Sequence, residues 1–136
     1  MGLKEQDRRD VVAYRIERAF IALEQAKLNE QQKCLEVVAN RLYYAAYYAA
    51  TALLISDHIR THSHDGAIGQ FGLYYVKTGV FSKETGRFLK KLFQMRLTGD
   101  YDDYFGLTEN DVIPMIQPTA NFIKQVTDLA KAKVGL

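Results

Sequence analysis

One cysteine, Cys34, stands in the 136 residues. No disulfide can therefore close within the chain, a usage that fits a reducing cytoplasm, and Cys34 itself is read as an inert packing residue. Two prolines, Pro114 and Pro118, leave long stretches in which nothing forces a helix to stop. Charge of neither sign dominates: 18 Lys and Arg against 16 Asp and Glu leave a net charge of +2. That balance argues against a general polyanion binder and against an acidic tail, although a local patch need not show in the total. The opening MGLKEQDRRD has no apolar signal core. The longest uncharged run, Leu42 to Ser56, is too short and too rich in tyrosine to span a membrane. Strand alternation, an internal repeat, a Gly-Lys-Ser/Thr phosphate loop and zinc-ligand spacing are all missing. The expectation is one all-α domain over residues 1–136, with its core between about residues 8 and 132, in the cytoplasm, without membrane contact, cofactor or metal.

What the chain has instead is a central apolar stretch, Asn40 to Ile55, NRLYYAAYYAATALLI. It contains strong helix formers and no helix breaker. At 100° per residue, Leu35, Val38, Leu42, Ala46, Ala49 and Leu53 fall in one arc, while Arg41, Tyr44 and Tyr48 form a second stripe roughly opposite. A helix apolar nearly all round is buried on most sides. Around it the periodicity predicts five helices in a mostly up-and-down bundle. The first spans about Asp7–Leu28, with Val12, Ile16, Ala19, Leu23 and Ala26 inward and its arginines, Arg8 and Arg15 among them, mostly solvated. The second spans about Glu30–His58, with Asn29 as N-cap and Gln32 as its partner. The third runs from His64 to Thr78 behind a Ser63 cap, and Gly79 ends it. The fourth follows a Ser82 cap and ends near Leu97. The fifth begins near Thr108, and Pro114 and Pro118 can split off a leading turn.

The polar segment SDHIRTHSHDG holds all three histidines, His58, His62 and His64, beside Asp57 and Asp65. It reads as a loop before a capped helix rather than as a metal site, because no recognised ligand spacing is present. The Arg41, Tyr44 and Tyr48 stripe has two readings. In one it is a pocket in which the rings stack on a base and Arg41 holds a phosphate. In the other it is a packed seam in which Asp57, Asp100 or a partner chain neutralises Arg41. Arg96 falls on the apolar side of the fourth helix and needs a carboxylate there. Asp100, Asp102 and Asp103 follow at once, and an Arg96–Asp100 pair beside Tyr101 would clamp the helix end.

Four fragments in order resemble the HEPN domain, and within it a small stand-alone branch. They are NRLYYAAYYAATALL, THSHDGAIGQF, FGLYYVKTGVFSKE and LKKLFQMRLTGDYDDY, spread over roughly residues 10 to 130. The resemblance implies a helical bundle that forms homodimers and is encoded beside, or fused to, a minimal nucleotidyltransferase. Some such domains are ribonuclease toxins with an R-x(4–6)-H motif at the dimer interface; others lack the motif and bind nucleotides or RNA, or serve as partner modules. Here Tyr48 stands where the motif after Arg41 wants histidine, and Tyr101 where the motif after Arg96 does. A phenol with a pKa near 10 is a poor general base at neutral pH. The resulting expectation is a non-catalytic module that binds nucleotide or RNA and works with a nucleotidyltransferase, in a toxin–antitoxin or stress setting. Its ligand-binding candidates are Arg41, Tyr44, Tyr48, His64, Arg96, Asp100 and Tyr101. A ribonuclease with non-standard residues, for which His64 could stand in from another helix, and a purely structural module remain as alternatives.

Overall fold

The computed structural model describes residues 4–101 and 106–136, residues 100 and 101 by their backbone alone. The described residues form α1 (Glu5–Gln31), α2 (Leu35–Ser56), α3 (His64–Phe71) with a π-helical turn at Gly72–Val76, α4 (Lys83–Tyr101), α5 (Glu109–Val112) with a 3-10 turn at Ile113–Met115, and α6 (Ile116–Val134). The all-α bundle expected from the sequence is the fold observed.

α2 lies at the centre and packs against α1, α3, α4 and α6. Val38, Leu42, Tyr43, Ala46, Ala49 and Leu53 are all fully buried along it. Alanine at four-residue spacing lets the neighbouring helices approach closely. Contacts between side chains give the directions. Arg8 reaches Ile55, Arg15 reaches Thr51 and Arg41 reaches Gln25, so α1 and α2 are antiparallel. Gly99 of α4 lies against Glu36, which makes α4 antiparallel to α2 as well. Lys133 pairs with Asp57 at 3.0 Å, so α6 ends beside the end of α2 and runs parallel to it. α1, α2, α4 and α6 therefore alternate up and down, while α3 and its π turn cover the side of α2 that the tyrosines occupy.

The caps follow the local chemistry. The Ser63 hydroxyl accepts from the Gly66 amide and starts α3. Ser82 Oγ accepts from the Thr85 amide at 3.2 Å. Thr108 and Asp111 form a reciprocal capping box ahead of α5. Gly79 takes φ +84°, the left-handed conformation a chain reversal needs.

Some expectations are corrected. α1 continues to Gln31, and Asn29 lies inside its last turns, where its Nδ2 donates to the Gln25 carbonyl oxygen at 2.8 Å instead of capping α2. The reversal falls at Lys33, with φ +56°. The third helix does not stay α-helical to Thr78 but widens at Gly72, with the Lys77 amide donating to the Gly72 carbonyl at 2.8 Å. From that turn the Tyr75 hydroxyl donates to Asp57 Oδ2 at 2.5 Å. Arg8, expected in solvent, is only 5 % exposed, and Cys34, expected in packing, is exposed. Both lie near helix ends, where one-face periodicity stops being informative.

Candidate functional site

The tyrosines of α2 meet α3, α4 and α1 in one half-buried seam. Tyr43, wholly buried, is its base: the ring packs on Phe93 of α4 with centroids 5.4 Å apart, and its hydroxyl is hydrogen-bonded to His64 Nδ1 at 2.7 Å. Tyr47, one turn on, stacks on the same imidazole at 4.3 Å with 26° between planes, and Tyr44 meets it edge-on at 5.6 Å. His64 is thus held by three rings of α2. Ser63 starts α3 just before it, and so fixes where the imidazole enters.

Three guanidinium groups lie over these rings. Arg96 of α4 sits 5.5 Å from the Tyr44 centroid and 5.6 Å from that of Tyr43, and its Nη2 donates to the Tyr44 hydroxyl at 3.3 Å. Arg41 lies 5.2 Å from the Tyr44 ring and Arg18 of α1 5.7 Å from the Tyr48 ring. A cation over an aromatic face contributes about 0.5–1 kcal/mol where water reaches it, and more where it does not. Arg41 is not neutralised by Asp57, which pairs instead with Lys133. Its Nε and Nη2 donate to Asn40 Oδ1 and its Nη1 to Gln25 Oε1. These acceptors are neutral amide oxygens, so the hydrogen bonds orient the guanidinium without cancelling its charge.

The titration of the seam follows from its surroundings. Burial, and secondly the Arg96 guanidinium, hold His64 below the ordinary histidine range, with Asp65 partly opposing them. The imidazole is therefore neutral at neutral pH. Burial, and then the neighbouring Tyr47, push the Tyr43 phenol up, so its hydroxyl keeps its proton. With both groups neutral, the 2.7 Å bond can run either way: when His64 Nδ1 donates, Nε2 carries the lone pair, and when Tyr43 donates, Nε2 carries the proton.

Of the residues singled out from the sequence, Arg41, Tyr44, Tyr48, His64 and Arg96 come together here. The side chains of Asp100 and Tyr101, and with them the proposed clamp on Arg96, lie outside the described residues, as do Asp102 and Asp103. The periodicity reading missed Tyr43, Tyr47 and Arg18. Tyr43 and Tyr47 were visible as an i, i+4 pair, but only α3 and α4 give that face its partners. Among the described residues, no group of three or more His, Cys, Asp or Glu side chains is placed to hold a metal, and no helix is long and apolar enough to cross a membrane.

The sequence model of the HEPN domain matches residues 12–129. The chain belongs to the HEPN family. Relatives agree with that membership. A UPF0332 protein of Thermotoga maritima is 32 % identical over 130 residues, which cover 93 % of this chain and 98 % of the relative. “Putative toxin MJ0605” of Methanocaldococcus jannaschii is 33 % identical over 100 residues, 74 % of this chain and 75 % of that one. A UPF0332 protein of Gloeobacter violaceus, glr0978, is 28 % identical over 110 residues, 80 % and 87 % of the two chains. Within this HEPN chain, the Tyr48 position supplies a phenol 5.7 Å from Arg18 and no imidazole. The imidazole that does face Arg96 arrives from α3, outside any R-x(4–6)-H spacing.

Proposed function

We propose that this chain is a single-domain HEPN module that binds a nucleotide or a short stretch of RNA without cleaving it, and that it acts with a minimal nucleotidyltransferase in a toxin–antitoxin or stress system. The observation that carries the reading is the seam itself: Arg18, Arg41 and Arg96 set over the faces of Tyr48, Tyr44 and Tyr43. Half-buried Tyr44 and Tyr48 offer rings on which a base stacks, and Arg41, held by neutral amide oxygens, keeps its charge for phosphate. The toxin-named archaeal relative supports the setting. Exposed Leu73 and Tyr74 on the π turn, with Tyr14, Phe20 and Leu28 on α1, offer apolar surface for a homodimer or for the nucleotidyltransferase.

The test is a titration of ATP and of a labelled short RNA, with cleavage of the same RNA followed in parallel. The expected result is binding without cleavage, weakened roughly tenfold in Arg41→Ala and in Arg96→Ala, about the 1.4 kcal/mol of one charge-assisted contact. Cleavage by the wild type that disappears in Arg96→Ala would overturn it. A second reading, a ribonuclease with non-standard residues, has one specific observation in its favour: a neutral His64 stands on the Tyr44 and Tyr43 rings that Arg96 also covers. In that reading His64→Ala abolishes cleavage as completely as Arg96→Ala does.

A further inference from the structure

Tyr47 belongs to two places. One face stacks on His64 in the seam, and the ring also lines a cleft of about 540 Å³ between α1, the end of α2 and the chain that follows it. That volume is within the range of small-ligand sites, about 300–1,000 Å³. Three arginines, Arg8, Arg15 and Arg60, line the cleft, together with Thr51 and Thr61. Two of the three are set by neutral oxygens of α2. Arg8 Nη1 donates to the Ile55 carbonyl at 2.9 Å, and Arg15 Nη1 to Thr51 Oγ1 at 2.9 Å. Thr51 Oγ1 in turn donates to the Tyr47 carbonyl at 2.8 Å. Glu5, whose side chain is 83 % exposed, lies 3.9 Å from Arg8 and also meets His58 at 3.8 Å. Arg15 and Arg60 add two guanidinium charges to the wall of the cleft, and a concave wall focuses that potential.

Resting on the binding role given to the seam, we propose that this cleft is a phosphate subsite continuous with it, and that the ligand is a single-stranded oligonucleotide long enough to occupy both. Tyr44, which Arg96 covers, and Thr51, which Arg15 holds, are seven residues apart on α2, about 10 Å of helix rise. Stacked nucleotides advance about 3.4 Å per step, so the separation corresponds to about three steps. A strand whose bases stack along Tyr44 and Tyr47 therefore delivers a backbone phosphate to Arg15 and Arg60. A mononucleotide reaches one of the two subsites and not the other. Positive charge tracking a groove, with aromatic rings along it, is how proteins hold single strands without reading sequence.

The test compares AMP, a dinucleotide, a tetranucleotide and a hexanucleotide of single-stranded RNA by calorimetry or fluorescence anisotropy at several salt concentrations. Three double variants accompany the wild type: Arg15→Ala/Arg60→Ala in the cleft, Arg41→Ala/Arg96→Ala in the seam, and Arg87→Ala/Lys124→Ala, which removes two charges from α4 and α6 outside both. Arg8 is left in place because it is buried and ties α1 to the end of α2. Wild type and the outside variant are expected to gain at least tenfold in affinity between AMP and the tetranucleotide. The cleft variant is expected to bind AMP as the wild type does, to lose that gain, and to lose about 0.7 from its log–log salt slope for each phosphate contact removed. Thermal melts check that each variant is folded. Affinity independent of length in the wild type, or a gain that survives in the cleft variant, overturns the cleft and leaves the seam standing. If all four ligands fail to bind, or binding ignores the seam variant, the seam reading falls and the cleft with it.

Discussion

Replacing Tyr43 by phenylalanine removes one oxygen from the middle of the seam and leaves the packing in place. The ring is wholly buried against Tyr44, Tyr47 and Phe93. Its hydroxyl has one partner of consequence, His64 Nδ1 at 2.7 Å. A hydrogen bond between neutral groups contributes about 1 kcal/mol net. His64 is half-exposed, so water takes over its nitrogen when the hydroxyl goes, and no acceptor is stranded. Tyr43→Phe is therefore expected to cost about 0.5–1.5 kcal/mol, whereas Tyr43→Ala, which also empties the space of the ring, is expected to cost about 3–5 kcal/mol. Urea unfolding measures both, with a shift in midpoint at constant slope. The decisive comparison is a double-mutant cycle of Tyr43→Phe with His64→Ala. The coupling should be about 1 kcal/mol, because each change alone removes the same bond. Additivity within about 0.3 kcal/mol would mean that the hydroxyl does not hold the imidazole, and the account of how α3 is docked onto α2 would be wrong.

Stability should also depend on pH through His64. Its pKa is lowered in the folded chain by burial and by Arg96, with Asp65 opposing. The unfolded chain therefore takes up the proton first as pH falls. The full contribution is present above the ordinary value of about 6.5 and is lost as pH drops through it. His64→Gln is expected to flatten the midpoint-versus-pH curve between pH 7 and 5, and an unchanged slope contradicts the burial argument. Gly79→Ala forces a side chain onto φ +84° and should cost about 1–2 kcal/mol in thermal or urea unfolding; a neutral result rules out the left-handed turn. Thr108→Ala breaks the capping box with Asp111 and should cost about 1 kcal/mol, measured the same way, with faster amide exchange at the start of α5. Leu53→Ala, at a fully buried site on α2, should cost about 3–5 kcal/mol. A loss under 1 kcal/mol would show that α2 is not the centre of the bundle.

The sequence by itself determined the class of fold and the identity of the central helix. A stretch with one charge and alanine at close spacing has nowhere to go but the interior, and Ser63, Ser82, Thr108 and Gly79 announce helix ends through chemistry local to a few residues. It determined too that Tyr48 lacks the ring nitrogens a general base would need. What it left undecided was which polar residues meet. Arg8 and Arg15 read, like the other arginines of their helix, as solvated surface, and only the antiparallel docking of α1 along α2 turns them toward Ile55 and Thr51. His64 is one of three histidines in a polar segment; the Ser63 cap puts it at the start of a helix, but nothing local says what its imidazole meets. It becomes part of a site because α3 brings it to Tyr43, 21 residues away in sequence, and α4 brings Arg96 to Tyr44 across 52 residues. Hydrophobic periodicity records which face of a helix is covered. It carries no record of what covers it, and that was decided by the tertiary packing of α1, α3 and α4 around one helix.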